Sequence, residues 1–170
     1  MGRISWDQYF SELACLVAKR TSCIRRAVGA VIVSKDNCIL STGYNGSPRG
    51  MVNCCDVPYK VMAPPELGPG LLTRYGVCRR AELGYASGEG MQFCFASHAE
   101  QNAIAQAARK GQAIEGAIMY VTHQPCTDCT KLIIAAGISE VVFLNDYAHT
   151  ETLHTLEEGG VKHRRYIQND

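Results

Sequence analysis

Two short stretches of sequence carry most of the information about the fold: His98-Ala99-Glu100 and Pro125-Cys126-Thr127-Asp128-Cys129. The first opens an Ala-rich segment, residues 98–110, whose composition is typical of a helix. The second follows an apolar segment, 117–122, and opens another helical segment, 126–136. Each stretch therefore stands where a helix begins. Two helix starts that face one another can bring one His and two Cys side chains to a single point.

These residue types in this spacing are typical of a catalytic zinc site. Zinc takes imidazole and thiolate ligands, and a catalytic site keeps its fourth position for water. The spacing of Cys126 and Cys129 places both sulfurs on one helical turn, where the helix N-terminus favours the thiolate form. Zinc activates a bound water, and a neighbouring carboxylate can carry protons. We therefore predict His98, Cys126 and Cys129 as zinc ligands and Glu100 as the catalytic proton carrier.

Each half of this pattern has a simpler interpretation when it is taken alone. Cys126 and Cys129 would also suit a structural zinc site or a thioredoxin-like redox pair, and His98 would also suit a buried core position. The joint pattern, H-x-E followed by P-C-x-x-C, is the signature of zinc-dependent deaminases. The redox interpretation leaves His98 and Glu100 without a role. A zinc-stabilised binding module would need no carboxylate beside the metal.

The hydrophobic pattern outside these stretches predicts an α/β fold. Ser5 and Gln8 form a capping box at the start of an amphipathic first helix. Strands and helices then alternate, which favours layers around one sheet. The predicted elements after that helix are strands 28–33 and 38–43, helix 98–110, strand 117–122, helix 126–136, strand 140–144, helix 150–158 and an edge strand, 161–167.

One long segment, from about residue 51 to residue 97, interrupts this alternation. It holds four of the six Pro residues, and Gly68 and Gly70 flank one of them, Pro69. We predict an insertion with little regular structure, apart from a short helix near 71–83. A long irregular segment in a compact domain is usually functional or is held in place by another group.

Composition favours one soluble domain. The chain has 170 residues, of which 46% are hydrophobic and 19% are charged. A net charge of +1 argues against extended binding of nucleic acid, so that a deaminase acting on RNA or single-stranded DNA is the second interpretation. No apolar run is long enough to span a membrane, and no signal peptide is apparent, so we expect a cytoplasmic protein. Because disulfides are rare in the reducing cytoplasm, the nine Cys residues favour metal ligation for at least some of them.

The chain resembles the deoxycytidylate deaminases, especially those of bacteriophages. The resemblance implies a three-layer α/β/α cytidine deaminase fold with a central five-stranded mixed sheet, in a single domain of residues 1–170. It also implies hydrolysis of dCMP to dUMP and ammonia, which supplies dUMP for thymidylate synthesis. A hexamer activated by dCTP and inhibited by dTTP is implied as well, in the host cytoplasm for a viral member. The stretches that carry the resemblance are VGAVI (28–32), GYNGSP (43–48), NCCD (53–56), HAEQNAI (98–104) and PCTDC (125–129).

The resemblance also suggests nucleotide-binding residues. Asn45 is expected on the sugar hydroxyl, Arg26 on the phosphate, and Tyr147 along the substrate. From the residues alone, the loop around Asn45 would also suit an ordinary turn, Arg26 a solvated charge and Tyr147 a packing role. Candidates for an allosteric nucleotide, whose triphosphate would bring Mg²⁺, are Gly43, Tyr44 and Gly46.

A second, structural zinc is implied for phage members similar to this chain. Cys23 and Cys54 match two of its ligands, whereas Gly88 and Ala96 stand where that pattern has a His and a Glu. Two other cysteines of the insertion would replace them and give an all-cysteine site that holds the insertion in place. The alternative is that the four are small buried side chains. The complete candidate set is Cys23, Cys54, Cys78 and Cys94.

Overall fold

The structure is a computed structural model that describes residues 2–56, 58–62, 71–76, 78–86, 89–147 and 151–167. Its regular elements follow the chain in an order close to the predicted one. They are α1 (Trp6–Ala18), β1 (Gly29–Val33), β2 (Ile39–Tyr44), β3 (Pro58–Met62), β4 (Leu71–Tyr75), α2 (Arg79–Glu82), a 3₁₀ turn (Met91–Phe93), α3 (Ala99–Lys110), β5 (Ile118–His123), α4 (Thr127–Ala135), β6 (Glu140–Asn145), α5 (Glu151–Glu158) and β7 (Lys162–Arg165).

The chain divides into two compact units. The sequence predicted one domain with an insertion, and the structure separates that insertion, together with a short earlier segment, as a unit of its own. The first unit comprises Met1–Thr21, Ala27–Asn45 and His98–Asp170, and the second comprises Ser22–Arg26 and Gly46–Ser97.

A five-stranded mixed sheet forms the centre of the first unit. Its strand order is β2-β1-β5-β6-β7. Strand β1 is antiparallel to both of its neighbours, whereas β5, β6 and β7 are parallel. The predicted α/β class and the mixed five-stranded sheet are confirmed.

Helices cover both faces of this sheet, because side chains alternate between its faces along each strand. Val31 and Val33 of β1 pack with Phe10 of α1 on one face. Ala30 and Ile32 point to the opposite face, where residues of α3, α4 and α5 complete a larger apolar core. The first unit therefore has the predicted three layers, with α1 on one side of the sheet and the other three long helices on the other.

Two glycines allow helices to lie directly against the sheet. A Cβ atom at Gly29 would lie 2.2 Å from the carbonyl oxygen of Ala14 in α1. A Cβ atom at Gly43 would lie 2.2 Å from the carbonyl oxygen of Ala99 in α3. Neither glycine has a positive φ, so the absence of a side chain is what the packing requires. Gly43 thereby sets the position of the first turn of α3 on β2.

The strand directions gather three chain segments at one edge of the sheet. Strands β2 and β5 are both antiparallel to β1, and β6 is parallel to β5, so the carboxyl ends of β2, β5 and β6 share an edge. Asn45 follows β2, Cys126 follows β5, and Tyr147 follows β6. We call this the carboxyl edge. Ligands of α/β sheets usually bind outside such an edge.

The second unit contains more regular structure than the sequence suggested. Strands β3 and β4 pair antiparallel, with Pro58 opposite Tyr75 and Met62 opposite Leu71. The prediction of an irregular segment is therefore wrong for these residues, and the helix predicted near 71–83 is confined to Arg79–Glu82. Pro and Gly residues misled the prediction because they are concentrated in 63–70, between the two strands in sequence and outside the described residues.

Within the described ranges, no helix has both the length and the apolar character needed to cross a lipid bilayer.

Candidate active site

The structure brings the side chains of His98, Cys126 and Cys129 together at the carboxyl edge. His98 Nδ1 lies 3.3 Å from the Sγ atom of each cysteine. Among the described residues, this is the one trio of candidate metal ligands whose ligand atoms all lie within 4.8 Å of one another. Tetrahedral zinc separates N and S ligand atoms by roughly 3.5–3.8 Å, given its usual bond lengths. The trio therefore fits one zinc ion.

His98 and Cys126 each occupy the N-cap position of a helix. Both have extended backbones, with φ −73° and ψ 161° at His98 and φ −76° and ψ 170° at Cys126. The His98 N–H donates to Gln101 Oε1 at 2.8 Å, and the Cys126 carbonyl accepts from the Thr130 N–H at 2.8 Å. The positive ends of α3 and α4 therefore face the sulfurs, which favours their anionic form.

Protonation of the two sulfurs is coupled. A hydrogen bond from Cys129 lowers the pKa of Cys126 to about 4, and His98 adds to this effect. The hydrogen bond to Cys126, together with burial, raises the pKa of Cys129. The two pKa shifts are therefore opposed, and the thiolate form of one sulfur is favoured at the expense of the other. A divalent cation removes this conflict because it binds both sulfurs as thiolates, so the donor set suits zinc.

Glu100 is a buried carboxyl beside these ligands. It lies in the first turn of α3 and is 4% exposed. Burial raises its pKa, and its side chain interacts with that of Cys129. A carboxyl with a raised pKa can accept a proton and release it again near neutral pH. Glu100 is therefore placed to exchange protons with a group bound at the three ligands.

Asn45 is buried, with 7% of its surface exposed. Its Oδ1 accepts hydrogen bonds from the Val28 N–H at 2.8 Å and from the Thr21 hydroxyl at 2.7 Å. The preceding residue, Tyr44, accepts a 2.8 Å hydrogen bond on its carbonyl from Asn102 Nδ2. Asn102 lies one turn after His98 on the same side of α3. The loop after β2 is thus tied to the helix that begins at His98.

Tyr147 is held at the carboxyl edge by Gln124. The Tyr147 N–H donates to Gln124 Oε1 at 3.3 Å, and Gln124 Nε2 donates to the Thr152 hydroxyl at 2.7 Å. Gln124 itself is 5% exposed, and its N–H donates to the Asn145 carbonyl at 2.8 Å. Gln124 therefore joins the segments that follow β5 and β6, two residues before Cys126.

Sequence reasoning missed three residues that support this site: Thr21, Asn102 and Gln124. Asn102 could have been found, because it stands four residues after His98 in a predicted helix and so shares its face. Thr21 and Gln124 carried no local signal, since each acts on residues more than 20 positions away along the chain.

The predicted nucleotide-binding residues outside this centre have varied surroundings. Gly43 is buried against α3, while Tyr44 is 37% exposed. Arg26 and Gly46 belong to the second unit, where Arg26 is exposed and Gly46 pairs with Ser97 in an isolated β-bridge. The structure gives Gly43 a packing role. Its contribution to an effector site stays a prediction.

The four cysteines predicted for a second zinc all lie in the second unit and are half-buried. Burial raises the pKa of Cys54, and the charges of the other three cysteines raise it further. All three therefore lie within electrostatic range of Cys54. Their sulfurs do not form a trio within 4.8 Å among the described residues, in contrast to the centre at His98.

Residues 4–145 match the family model for the cytidine and deoxycytidylate deaminase zinc-binding region. The chain belongs to the cytidine and deoxycytidylate deaminase family. The match spans the start of α1 to the end of β6 and includes the three candidate ligands and Glu100. Membership in this deaminase family confirms the resemblance inferred from the sequence.

Relatives within the deaminase family include cellular and phage proteins. The chain is 38% identical over 168 residues to the deoxycytidylate deaminase of Schizosaccharomyces pombe, covering 97% of this chain and 45% of that protein. The chain thus spans less than half of that relative. The deoxycytidylate deaminase of Mycobacterium phage D29 is 38% identical over 143 residues, which cover 84% of this chain and 97% of the relative.

A solved structure from the deaminase family has a similar fold over nearly the whole chain. It is the dCMP deaminase of cyanophage S-TIM5, crystallised in complex with dCMP and dUMP. The TM-score is 0.70 at 29% sequence identity, and the alignment covers 98% of this chain and 100% of the phage chain.

Proposed function

We propose that this chain hydrolyses dCMP to dUMP and ammonia. The observation that carries the proposal is the meeting of His98, Cys126 and Cys129 with a carboxyl, Glu100, that is 4% exposed. The phage D29 relative and the S-TIM5 enzyme with its bound dCMP and dUMP support this choice of substrate.

The chain's own residues divide the chemistry between them. His98, Cys126 and Cys129 would hold zinc, which when bound supplies an activated water as nucleophile. Glu100 accepts the proton of that nucleophile as it attacks C4, the ring carbon that bears the amine. Glu100 then delivers that proton to ring nitrogen N3. It next takes the proton of the new C4 hydroxyl and passes it to the amine, so that the C4–N bond breaks with loss of ammonia and C4 is left as the carbonyl of dUMP.

Substrate contacts follow from the same arrangement. Asn45 and Tyr147 follow strands that end at the carboxyl edge, as does the segment that carries Cys126. Asn45 would contact the sugar hydroxyl, and Tyr147 would line the substrate. Arg26 would pair with the phosphate, for which a guanidinium is well suited. The second unit that carries Arg26 has seven of the 17 Lys and Arg residues but four of the 16 Asp and Glu, and this basic excess favours an anionic ligand.

We also propose that the enzyme is regulated by nucleotides as its resemblance to phage deoxycytidylate deaminases implies. A hexamer would be activated by dCTP and inhibited by dTTP, with Mg²⁺ on the triphosphate, and would supply dUMP for thymidylate synthesis. Tyr44 and Gly46 would contribute main-chain contacts to the effector, next to Gly43. A dCMP rate curve that is sigmoidal alone and hyperbolic with dCTP would support this, and one unaffected by either effector would contradict it.

One assay tests the proposed activity against its alternative, a deaminase of RNA or single-stranded DNA. The zinc-loaded protein is incubated with dCMP, CMP, deoxycytidine and a cytosine-containing oligonucleotide, with and without dCTP, and loss of cytosine absorbance is followed. We expect dCMP to react fastest and the oligonucleotide to stay intact. Conversion of the oligonucleotide without conversion of dCMP would overturn the proposal. Glu100→Gln protein serves as the control for contaminating deaminases.

A further inference from the structure

We infer that Gln124 is a positioning residue for the substrate, because its buried amide fixes the main chain of Tyr147 relative to the segment that carries Cys126. This inference rests on the proposed function, in which Tyr147 lines the substrate. Gln124 lies between the end of β5 and Cys126, whereas Tyr147 follows β6. The two residues therefore belong to separate segments at the carboxyl edge, and a side chain that joins them constrains the distance between these segments.

Both ends of the Gln124 amide have partners of matching polarity. The Tyr147 N–H donates to Oε1 at 3.3 Å, and Nε2 lies 2.7 Å from the Thr152 hydroxyl oxygen. A main-chain N–H can only donate, so the atom that faces Tyr147 must be the amide oxygen. The amino group therefore faces Thr152, whose hydroxyl can accept. A reversed amide would set its NH₂ group against the Tyr147 N–H, and this conflict alone selects the present orientation.

Shorter hydrogen bonds hold the segments on either side of this amide. The Gln124 N–H donates to the Asn145 carbonyl at 2.8 Å, and Asn145 Nδ2 donates to the Thr122 carbonyl at 2.7 Å. At its other end, the amide reaches Thr152, a residue in the first turn of α5 that is 1% exposed. Gln124 thus links the segments after β5 and β6 to a core helix. Tyr147 is held in place before a ligand binds, and such preorganisation reduces the entropy lost on binding.

The burial of this amide favours a positioning role over a purely stabilising one. Gln124 is 5% exposed, and taking a polar group out of water costs free energy that hydrogen bonds offset. An apolar side chain of similar size, such as that of methionine, would fill the volume without this cost. Paired polar groups in a protein interior instead restrict the structure to one arrangement. We therefore expect loss of the amide to affect the position of Tyr147 more than the stability of the fold.

The test is a double-mutant cycle of Gln124→Met and Tyr147→Ala, measured as KM and kcat for dCMP and as the Kd of dUMP. One hydrogen bond is worth roughly a factor of 5–10 in binding. We expect Gln124→Met to raise KM and Kd by about that factor, with a smaller change in kcat and unchanged zinc content. In the Tyr147→Ala background, Gln124→Met should weaken binding no further, because it acts through Tyr147. Gln112→Met, at an exposed glutamine, is the matched control.

The single variants separate failure of this inference from failure of the proposed substrate contact. If Tyr147→Ala binds dCMP and dUMP as wild type does, the proposed contact of Tyr147 is wrong and the inference falls with it. If Tyr147→Ala weakens binding but Gln124→Met does not, or if the two effects add, only the role given to Gln124 is wrong. A loss of kcat or zinc as large as the rise in KM would reveal a structural role and overturn the inference. Thr152→Val, which removes the partner of Nε2, replaces Gln124→Met in the cycle if thermal melting shows the methionine variant to be unfolded.

Discussion

At the residue scale, the proposed reaction depends on one carboxyl that the fold keeps out of water. Glu100 owes its burial to its place in the first turn of α3, where Gly43 brings the helix close to the sheet. Its carboxyl is held beside Cys129 and gains a raised pKa from burial. A proton carrier needs this environment, whereas a metal ligand needs an unprotonated lone pair. This difference in protonation separates the proposed role of Glu100 from that of the candidate ligands His98, Cys126 and Cys129.

Replacing Glu100 with Gln should therefore remove turnover and spare the metal. The amide has the same shape but accepts no proton, so we expect kcat for dCMP to fall by about 10³-fold or more while zinc stays near one per site. Steady-state kinetics and elemental analysis measure the two effects. Asp128→Asn is the matched control, because Asp128 is an exposed acid in the first turn of α4. Near-normal turnover in zinc-replete Glu100→Gln protein would contradict the assignment.

The sequence predicted the central trio because helical geometry makes its spacing meaningful. Cys126 and Cys129 share one turn, and the H-x-E motif puts His98 and Glu100 at a second helix start, so the pattern is local on each side. Thr21 was not predictable in this way. Its hydrogen bond to Asn45 exists because α1 ends near the place where β2 leaves the sheet, and only the tertiary fold determines that.

At the element scale, Gly29 and Gly43 play matching parts on opposite faces of the sheet. One admits α1 and the other admits α3, each through contact of the helix backbone with a glycine Cα. Overpacking at such contacts is destabilising, because backbone atoms cannot move aside as a flexible side chain can. The two positions differ in what their helices carry, because α3 begins at a candidate metal ligand, His98, and α1 does not.

Gly43→Ala and Gly29→Ala should therefore destabilise the fold alike but affect the site differently. We expect each to lower the free energy of unfolding by about 3 kcal/mol, at the upper end of the range for overpacking. Zinc affinity should fall by more in Gly43→Ala, because α3 must shift. Denaturant titration and zinc competition measure these effects, with Gly2→Ala as control since nothing lies within 4 Å of a Cβ there. Equal zinc affinity in the two variants would contradict this account.

Helix α1 is fastened to the far strands of the sheet by a charged network. Asp7 accepts hydrogen bonds at 2.8 Å from the Tyr120 hydroxyl and from both terminal nitrogens of Arg164. Arg164 Nε donates to Glu140 at 2.7 Å. The hydrogen bond from Arg164 lowers the pKa of Asp7, against the opposing effect of burial. Sequence reasoning could not pair Asp7 with Arg164, because β7 brings them together from opposite ends of the chain.

Asp7→Asn should reduce stability at neutral pH and make little difference in acid. The folded pKa of Asp7 lies below its unfolded value, so its stabilisation is present above that unfolded value, about pH 4, and is lost as pH falls through the folded pKa. We expect a loss of about 1 kcal/mol at pH 7, a modest figure because both partners are partly exposed. Urea titrations between pH 2.5 and 7 measure it, with Asp146→Asn as an exposed control. A pH-independent difference would contradict the role of the charge.

At the scale of the whole molecule, the two units differ in the kind of side chains that the structure describes as buried. The buried apolar side chains described by the structure all belong to the first unit. In the second unit, the described buried side chains include Arg80, whose guanidinium donates to the carbonyls of Ala86 and Glu89 at 2.9 and 2.6 Å. Small units commonly draw part of their stability from metal ions or disulfides.

We therefore propose that the four cysteines around Cys54 bind a second, structural zinc. Elemental analysis of the purified chain should give about two zinc per chain, falling to about one in Cys54→Ser with a lower melting temperature. Cys15→Ser is the control, because Cys15 is an exposed cysteine of α1. About one zinc per wild-type chain would remove the second site, and it would leave the centre at His98 unaffected.

The sequence predicted the first unit far better than the second. The strands of the first unit are rich in β-branched residues, and its helices have clear caps. Local propensity and tertiary structure therefore agree there. In the second unit, the hairpin of β3 and β4 depends on pairing across a segment rich in Pro and Gly, and those residues concealed the two strands beside them. The prediction failed where local composition and long-range pairing disagreed.

The bridge between Gly46 and Ser97 bears on where this chain can gain or lose residues during evolution. Two main-chain hydrogen bonds, of 3.1 and 2.9 Å, join the residues where the long segment of the second unit begins and ends. The entropy of closing a loop rises by only about 0.6 kcal/mol when its length doubles. Insertions and deletions between these two residues can therefore accumulate while β2 and α3 keep their register. Lengths between Gly46 and Ser97 should diverge most among descendants of this chain, and the spacing from His98 to Cys129 least.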